Sequence, residues 1–534
     1  MPLSRLALVS SKPLCFLRIT SSRMKPLIRS NVLCQHLTVG TFVRHLSSSP
    51  HLNVHREVTV PKDFPTSGIA INTRVRKLNF PPFVKDLYCG VFNKSVLSFA
   101  EVLNYGRHYN LEEKVRDIGG YIEGKKEVLA QTDGSGKLPP EVLHAFKQSG
   151  MFGLSVPTEY GGADFLSTEI ARIFEVLGCE ISLAEFMNYN EFLGGCQVLM
   201  SRGTEEQKQK YLPDLTSGSM LGSLCVAEEG SGSDPASVET LATKSEDEDV
   251  YILNGTKTWV VGGADAGLFT VLAKLKMKNY LGEDDVLDTA FLVERGFGGI
   301  EVSEPRRLAG LKGLDLVDVT FKDVKVPLGN VLGVEGEGLQ VLASIVHQNK
   351  YMMAAGLVTH LRGLLDETIT WCNDRKQFGL HLREFTLVKH QIAQMAARLY
   401  CLESMIYLTS GLQDVAEVPD VELESVLVKL YAAETSEFIT KGCLNLLGLR
   451  AAMEESKYQR YLRDNQVVQS WQGTANILKC FVAVTGAIHL AEVILISIVQ
   501  HLLTRCFRRK KIFPSYDTLA QILVASSPTN GEPG

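Results

Sequence analysis

The 534-residue sequence has little of what marks a metalloprotein, a disulfide-stabilised protein or a nucleic-acid-binding protein. Its eleven cysteines are scattered singly, with no C-x-x-C pair and no cysteine–histidine cluster at the spacing of metal ligands. We therefore expect no metal site and no disulfide framework, and a thiol-reducing compartment. The net charge of −5 predicts no binding to nucleic acid. With 45% hydrophobic and 22% charged residues, the composition is that of a soluble globular protein.

Acidic residues are missing from the start of the chain, where the first one is Glu57. Basic residues from Arg5 to Arg44 are spread among leucine, valine and serine. This composition is typical of a mitochondrial transit peptide, and a disordered basic tail is the alternative. We therefore assign residues 1–50 to a transit peptide and predict that the protein resides in the mitochondrial matrix.

Three regions with different periodicity follow. Residues 80–217 have apolar positions mostly at helical spacing, whereas residues 218–332 contain β-branched runs separated by turn residues. Residues 336–490 return to a helical pattern, with long helices predicted over 341–372, 386–412 and 422–447. Helices, strands and helices in this order predict an α+β protein built from three packed modules.

Local signals mark the ends of some elements. Thr204 and Gln207 have the spacing of a helix start, and Pro213 predicts the end of that helix. In the middle region, Asn254 and Gly255 separate two β-branched runs. An Asn-Gly pair between such runs predicts a β-hairpin.

Short motifs occur in a fixed order along the three regions. They are Tyr160-Gly161-Gly162, Gly203 to Pro213, Glu228-x-Gly-x-Gly-Ser-Asp234, Trp259, Arg375-Lys-Gln-Phe-Gly379 with Gln391, Leu462-Arg463-Asp464, and Trp471-Gln472-Gly473-Thr474. In order and spacing they resemble the acyl-CoA dehydrogenase family over about residues 80–488. The segment from Val58 to Ala100 is most similar to the mitochondrial long-chain branch of that family, one member of which also serves respiratory complex I assembly.

The resemblance implies a particular architecture and set of ligands. It implies an N-terminal α-helical domain (80–217), a middle β-barrel-like domain (218–332) and a C-terminal four-helix bundle (336–490). FAD would carry the redox chemistry, and acyl-CoA would be the substrate. A homodimer is implied, and electron-transfer flavoprotein or complex I assembly proteins are candidate partners.

The resemblance also implies roles for individual residues. The positions that would contact FAD are Ala227, Glu228, Trp259, Val261, Arg375, Phe378, Gln391, Asn445, Gly448, Gly473, Thr474 and Asn476. Those that would contact acyl-CoA are Ser233, His347, Lys350 and Trp471. The guanidinium of Arg375, in particular, suits pyrophosphate oxygens across a dimer interface.

The catalytic base of the family is missing from both of its known positions. The family has glutamate before Gly-Thr, and that glutamate takes the α-proton of the acyl thioester. Here the residue is Gln472, whose neutral amide cannot accept a proton at physiological pH. Some members carry the base on another helix, at the position of Asn349 here. We therefore expect α,β-dehydrogenation to be impaired.

Residues that would hold the flavin are exchanged as well. Ala227 and Val261 stand where the family has hydroxyl side chains. A lost neutral hydrogen bond costs about 0.5–1.5 kcal/mol. Near Asn445, a glycine of the family is replaced by Leu449, which adds bulk beside the cofactor. Because Arg375 and the Gly-Thr pair remain, the sequence leaves FAD retention open.

The last apolar stretch, residues 480–503, contains His489, Glu492 and Gln500. A central glutamate costs about 2.5–3.5 kcal/mol on membrane-insertion scales. We therefore expect the last helix of the bundle, buried against its neighbours, rather than a membrane span. Residues 505–534 are predicted to be a basic and then disordered tail, whose cationic part suits a peripheral contact with the inner membrane.

Two functions are compatible with these observations. The first is a mitochondrial acyl-CoA dehydrogenase-family flavoprotein of the long-chain fatty acyl-CoA β-oxidation type, impaired because the base position is Gln472. The second is a non-catalytic relative that acts in respiratory complex I assembly or as an acyl-CoA-binding scaffold.

Overall fold

The computed structural model describes residues 82–94, 96, 105–278, 284–415 and 420–509. The predicted transit peptide and the part of the tail after residue 509 lie outside these described residues. The described chain forms a set of helices, a seven-stranded sheet and a second set of helices, in that order. This confirms the predicted α+β fold and its three parts.

The described N-terminal part of the chain is helical, and one of its helices begins at the predicted signal. They are α1 Phe83–Tyr88, α2 Tyr105–Gly124, α3 Lys126–Ala130, α4 Thr132–Ser135, α5 Pro140–Gln148, α6 Ser167–Leu177, α7 Ile181–Asn188, α8 Cys196–Arg202 and α9 Glu205–Thr216. Thr204 caps α9, because its side chain accepts from the Gln207 amide at 3.2 Å while the Gln207 side chain accepts from the Thr204 amide at 3.0 Å. The prediction that Pro213 ends this helix is wrong. Pro213 lies within the last turn, where its own carbonyl still accepts from Ser217 N.

The middle domain is one sheet whose strands are packed on both faces. Its strands are β1 Gly222–Cys225, β2 Leu241–Lys244, β3 Val250–Val261, β4 Leu268–Lys278, β5 Asp284–Glu294, β6 Ile300–Val302 and β7 Leu316–Pro327. The order is β1-β4-β2-β3-β7-β6, with β5 on the other edge of β4. Alternate residues of β4 point to opposite faces of the sheet and belong to two different hydrophobic clusters. Phe269 and Val271 pack with residues of the other strands, whereas Leu268 and Leu272 pack against helices.

The predicted hairpin at Asn254-Gly255 is wrong, because β3 runs through both residues as one strand. The Asn254 side chain pairs with Asp323, accepting from its amide and donating to its carboxylate, both at 2.9 Å. A Cβ on Gly255 would lie 2.4 Å from Thr240 Oγ1 and 2.7 Å from Thr240 Cα. Glycine is therefore needed for close strand approach at a bulge, not for a turn.

The C-terminal helices are α10 Gly338–Gln348, α11 Lys350–Asp374, α12 Thr386–Val415, α13 Glu422–Leu447, α14 Leu449–Ala452, α15 Tyr458–Ser470 and α16 Ala475–Arg509. A short hairpin, β8 Lys376–Gln377 and β9 Leu380–His381, follows α11. The predicted bounds of α13 are confirmed. The predicted helix over 341–372 is interrupted at Asn349, whose side chain donates to the Ile345 carbonyl at 2.8 Å. A side chain that takes a local backbone partner in this way breaks the helical ladder.

The two helical domains share one core. α11 packs against α12 and α13 and also against α6 and α7 of the N-terminal domain. Side chains such as Tyr351 on α11 and Leu183 on α7 are fully buried in the same cluster. This arrangement brings α7 next to the loop that joins α15 to α16.

Charged side chains on α15 also join the C-terminal helices to the rest of the chain. Arg460 pairs with both oxygens of Glu180 at 2.6 and 2.7 Å, and Arg463 pairs with both oxygens of Asp133 at 2.6 and 2.8 Å. The Asp464 carboxylate accepts from the amide of Leu311 at 2.6 Å. The Leu-Arg-Asp motif therefore joins the bundle to the N-terminal and middle parts of the chain.

The last helix departs from the expectation that it is buried. α16 continues past residue 490 to Arg509, and apolar residues on it are exposed: Val484 57%, Ile488 53%, Leu495 61% and Ile496 56%. A window within Tyr458–His501 is long and apolar enough to cross a membrane by length and composition, and 11% of it is buried. The reason is that only the first part of α16 packs against α13, through Leu478, Phe481 and Val482. The exposed apolar residues lie beyond this contact.

We predict that Gly255→Ala destabilises the protein, because the added methyl meets the backbone of Thr240, which cannot move without disturbing the β2–β3 ladder. The expected loss is about 2–3 kcal/mol in the free energy of unfolding, measured by urea denaturation. Gly296→Ala is the control, since its methyl would meet nothing within 4 Å. Equal effects of the two variants would contradict the close-approach argument.

Candidate active site

The site is built on the loop Trp471–Thr474, which joins α15 to α16. Gln472 has a φ of 53° and Gly473 a φ of 108°. The left-handed conformation is unusual for glutamine, so neighbouring groups must hold it. Two lysines do so: Lys350 Nζ donates to the Gln472 carbonyl at 2.6 Å, and Lys429 Nζ donates to the Gly473 carbonyl at 2.6 Å.

Both lysines are buried, with Lys350 3% and Lys429 0% exposed. Burial and, to a smaller extent, the nearby Lys429 lower the pKa of Lys350 to about 7, against the raising effect of Glu185. Burial also lowers the pKa of Lys429 to about 8, against the raising effect of Glu185. A buried ammonium is stable only with a compensating partner, so these groups depend on the loop carbonyls and on Glu185.

Glu185 on α7 is the acidic group of this cluster. It is 1% exposed, and its Oε2 accepts from Trp471 Nε1 at 2.8 Å and from Gln472 Nε2 at 3.0 Å. Burial raises the pKa of Glu185 to about 7, although the hydrogen bonds from Trp471, Asn188 and Gln472 lower it. Sequence reasoning missed both Glu185 and Lys429. The available signal for Glu185 was a single acid within the apolar helix ISLAEFMN.

Lys350 is next to both predicted base positions. Its ammonium group donates to the Gln472 carbonyl, and Asn349 is the preceding residue in the chain. Gln472 Oε1 and Asn349 Oδ1 are buried and accept no hydrogen bond from the described part of the chain.

The predicted acyl-CoA residues are only partly brought together. Trp471 and Lys350 belong to the cluster, and the Trp471 ring lies 5.9 Å from that of Tyr189. His347 lies between α13 and α16, where its Nδ1 is 3.1 Å from Glu422 and its ring is 4.1 Å from that of Phe481. Ser233 is exposed in the loop after β1.

Glu228 is predicted to lie near the cofactor, but its carboxylate is hydrogen-bonded to other residues of the chain. Its carboxylate accepts from Lys257 Nζ at 2.7 Å, from Thr240 Oγ1 at 2.6 Å and from the amides of Glu239 and Thr240 at 2.7 and 3.0 Å. Burial acts to raise the pKa of Glu228, but these donors outweigh it and hold the pKa below its ordinary value. Glu228 therefore shapes the loop, and its backbone N–H and C=O are both paired with Ser231 at 3.0 Å.

The strand position predicted to border the flavin has an unusual backbone. Trp259 has a φ of 59°, is 44% exposed, and carries the Arg306 guanidinium 4.5 Å from its ring centre. The Val261 side chain is buried in the core, and the Ala227 carbonyl accepts from the Thr258 amide at 2.9 Å. Thr258 Oγ1 is buried and has no partner among the described residues.

The remaining predicted cofactor residues lie on the surface of the single chain. Phe378 is 95% exposed at the tip of the β8–β9 hairpin. Arg375 lies 5.7 Å and Arg450 5.1 Å from the ring centre of Trp371. The other predicted cofactor positions are half-buried or exposed: Gln391, Asn445, Gly448, Gly473, Thr474 and Asn476.

Comparison with known proteins identifies the class to which this fold and loop belong. Models of the acyl-CoA dehydrogenase N-terminal, middle and C-terminal domains match residues 116–219, 223–324 and 336–485. The chain belongs to the acyl-CoA dehydrogenase family, as its motifs indicated.

Individual relatives agree with this assignment. The mitochondrial very long-chain specific acyl-CoA dehydrogenase of Macaca fascicularis is 34% identical over 393 residues, which are 73% of this chain and 60% of that protein. The short/branched chain specific enzyme of Bos taurus is 31% identical over 352 residues, 65% of this chain and 79% of that protein. The chain thus spans about 60% of the length of the very long-chain relatives that it matches. The crystal structure of an acyl-CoA dehydrogenase complexed with FAD from Bacillus anthracis aligns with a TM-score of 0.64 at 27% identity, covering 74% of this chain and 70% of that one.

We predict that Gln472→Glu makes stability strongly dependent on pH, because the new carboxylate would stand about 3 Å from Glu185. Two carboxylates at that distance share a proton, so the folded-state pKa of one rises above its value of about 4.5 in the unfolded chain. The folded state then binds more protons than the unfolded state, and stability falls as pH rises. Wild-type Glu185 is itself protonated below about pH 7, so the difference from wild type should appear above that pH. There the variant should lose about 1.4 kcal/mol more unfolding free energy per pH unit than wild type.

Urea denaturation at several pH values measures this dependence. The double variant Glu185→Gln/Gln472→Glu has a single carboxylate again and should return to the wild-type slope. A single Gln472→Glu variant with an unchanged slope would show that the two side chains do not interact in solution.

Proposed function

We propose that this chain is a mitochondrial flavoprotein that binds FAD and long-chain acyl-CoA, and that it dehydrogenates acyl-CoA slowly. The observation that carries the proposal is the amide at the base position. Gln472 Nε2 donates to Glu185 at 3.0 Å, so residue 472 acts as a hydrogen-bond donor and not as a proton acceptor. General-base catalysis is worth about 10²–10⁴-fold, and a loss of that size is expected relative to an enzyme with glutamate there.

Residues of this chain fit the phosphate end of FAD. The guanidinium groups of Arg375 and Arg450 lie on the same Trp371 ring, a pairing that favours a pyrophosphate. At the flavin end, the Thr258 hydroxyl is buried and has no partner in the described part of the chain, and Thr474 is exposed. FAD would supply the acceptor for the β-hydride. The chain's own part is to hold the thioester between that cofactor and the loop Trp471–Thr474.

Apolar exposure around the hairpin supports a homodimer. Phe378 is 95%, Leu449 80% and Leu387 68% exposed, which is unusual for large apolar side chains of a monomer. A second subunit that covers them would also bring its own ligand close to Arg375. Electron-transfer flavoprotein is the proposed electron acceptor, as implied by the family.

The exposed part of α16 supports a peripheral contact with the inner membrane. Its apolar residues Val484, Ile488, Leu495 and Ile496 are followed in sequence by the basic residues Arg505, Arg508, Arg509, Lys510 and Lys511. An apolar helix face beside a cationic segment favours anionic lipid surfaces. Several relatives are mitochondrial by name, which agrees with the predicted transit peptide.

The first test is an anaerobic titration of the purified protein with palmitoyl-CoA, followed by the flavin absorbance. We expect bound FAD and slow bleaching, and we expect Gln472→Glu to accelerate bleaching by at least about tenfold. Gln466→Glu is the matched control: it makes the same charge change on the exposed side of α15 and should leave the rate unchanged.

Other outcomes would redirect the proposal. Fast bleaching of the wild type that Gln472→Glu does not increase would show that the amide does not limit the reaction. Protein that binds neither FAD nor palmitoyl-CoA would leave the non-catalytic alternative, a scaffold or a complex I assembly protein.

The second test is flotation with phosphatidylcholine vesicles, with and without cardiolipin. We expect binding to cardiolipin vesicles that weakens with salt, and we expect Leu495→Glu to reduce it, because a charge replaces an exposed apolar contact. Val286→Glu makes the same change at a side chain that is 48% exposed on β5 and should have no effect. Failure of the wild type to bind either kind of vesicle would contradict the membrane contact.

A further inference from the structure

Glu185 occupies a position for which the family motifs assign no role. It lies on α7, a helix whose residues are all buried, and its carboxylate faces the loop that carries the base position. Two donors, Trp471 Nε1 and Gln472 Nε2, converge on one oxygen, Oε2. Among the described residues, the other oxygen, Oε1, accepts only from the side-chain amide of Asn188, at the limiting distance of 3.5 Å. One oxygen is thus firmly held, and the other is weakly engaged.

The groups that face Glu185 come from every element packed around it. Lys350 on α11 and Lys429 on α13 both interact favourably with its charge. Tyr189 follows directly after α7, and Glu185 contributes to raising its pKa. Trp471 and Gln472 supply neutral donors from the loop. Two cations and two neutral donors therefore stabilise the ionised carboxylate in a buried site.

The distance to Gln472 connects Glu185 with the chemistry of the site. The terminal nitrogen of Gln472 stands where the resemblance places an oxygen of the catalytic carboxylate, and Glu185 Oε2 is 3.0 Å from that nitrogen. A carboxylate one hydrogen bond away can reach the same substrate carbon with a shift of about 3 Å. Direct proton transfer needs the base to come within about 3 Å of the group that loses the proton.

We infer that Glu185 is the proton acceptor of this site and that Gln472 positions it. The inference rests on the proposed binding of acyl-CoA. In the step, the C–H bond at the α-carbon of the thioester breaks and an O–H bond forms on the Glu185 carboxylate. The electron pair stays on the thioester as an enolate, so the step needs no oxidant. Glu185 is a catalytic residue, whereas Gln472 is a positioning residue that fixes its orientation.

Burial supports this role. A carboxylate whose pKa is raised to about 7 is a stronger base than an ordinary glutamate and is still substantially ionised near neutral pH. Because only the ionised form accepts a proton, the reaction should accelerate as pH rises through about 7. Lys350 and Lys429 lose their charges in the same range, which would move this midpoint upward.

The experiment isolates proton transfer from oxidation. Full-length protein is mixed in D₂O with an acyl-CoA whose β-carbon is replaced by sulfur, a thioester that has no β-hydride to give. Deuterium at the α-carbon is followed by mass spectrometry, and binding of the same compound is measured by calorimetry. We expect wild type to exchange the α-protons faster than buffer, and Glu185→Gln to slow this exchange by about 10²-fold or more.

Three variants control for structural effects. Glu175→Gln changes another buried glutamate, which is 1% exposed on α6 and paired with Arg172, and should leave exchange intact. Glu185→Asp keeps the carboxylate and should retain part of the rate. Glu185→Gln/Gln472→Glu exchanges acid and amide between the two positions and should restore exchange. Thermal unfolding confirms that each variant is folded.

The outcomes separate the two proposals. If the thioester analogue binds and wild type does not exchange, or if Glu185→Gln exchanges as fast as wild type, the role of Glu185 is wrong while acyl-CoA binding stands. If the analogue does not bind, the proposed function fails, and the inference fails with it.

Discussion

Two buried ammonium groups hold the loop Trp471–Thr474, and the geometry of the site depends on them. Lys350 and Lys429 donate to consecutive carbonyls at 2.6 Å. In a low-dielectric interior such charged hydrogen bonds are strong, and they are needed here because Gln472 adopts a left-handed backbone. The lysines come from α11 and α13, which pack together in the bundle core. Packing of the bundle therefore sets the loop conformation, and the loop sets the direction of the Trp471 and Gln472 side chains.

The same two cations limit where a carboxylate can be placed. A buried cation without a counter-charge costs several kcal/mol, so the cluster requires an acid nearby. In the family motif that acid stands in the loop at position 472, whereas here it stands on α7 as Glu185. With an amide at 472, the cluster still has one carboxylate for two lysines. With acids at both positions it would have two carboxylates about 3 Å apart, which would share a proton. Gln472 is therefore an electrostatic partner of Glu185 as well as a departure from the family motif.

Sequence reasoning succeeded where local pattern and structure coincide. The bounds of α13 were predicted because its apolar spacing continues without interruption, and the order of the motifs identified the family. It failed where a residue distant in the sequence determines the local conformation or contact. Asn254-Gly255 has the local pattern of a turn, but Asp323 and Thr240 hold it within a strand. Glu185 contacts residues 286 and 287 positions away, a pairing that no local periodicity reveals. For α16, helical apolarity predicted burial, yet it could not show that the helix extends beyond its neighbours.

A carboxylate on α7 is held differently from one on the loop, and this difference explains why a base at Glu185 would be slow rather than inactive. Burial raises its proton affinity, which favours removal of a weakly acidic α-proton. Its position, however, is fixed by a helix that is buried on every side, and Trp471 and Gln472 already occupy one of its oxygens. To reach the substrate carbon it must give up part of this hydrogen bonding. The gain in basicity is therefore offset by the cost of reorganisation, because a site that is not preorganised for its transition state loses rate even when its acid–base chemistry is favourable.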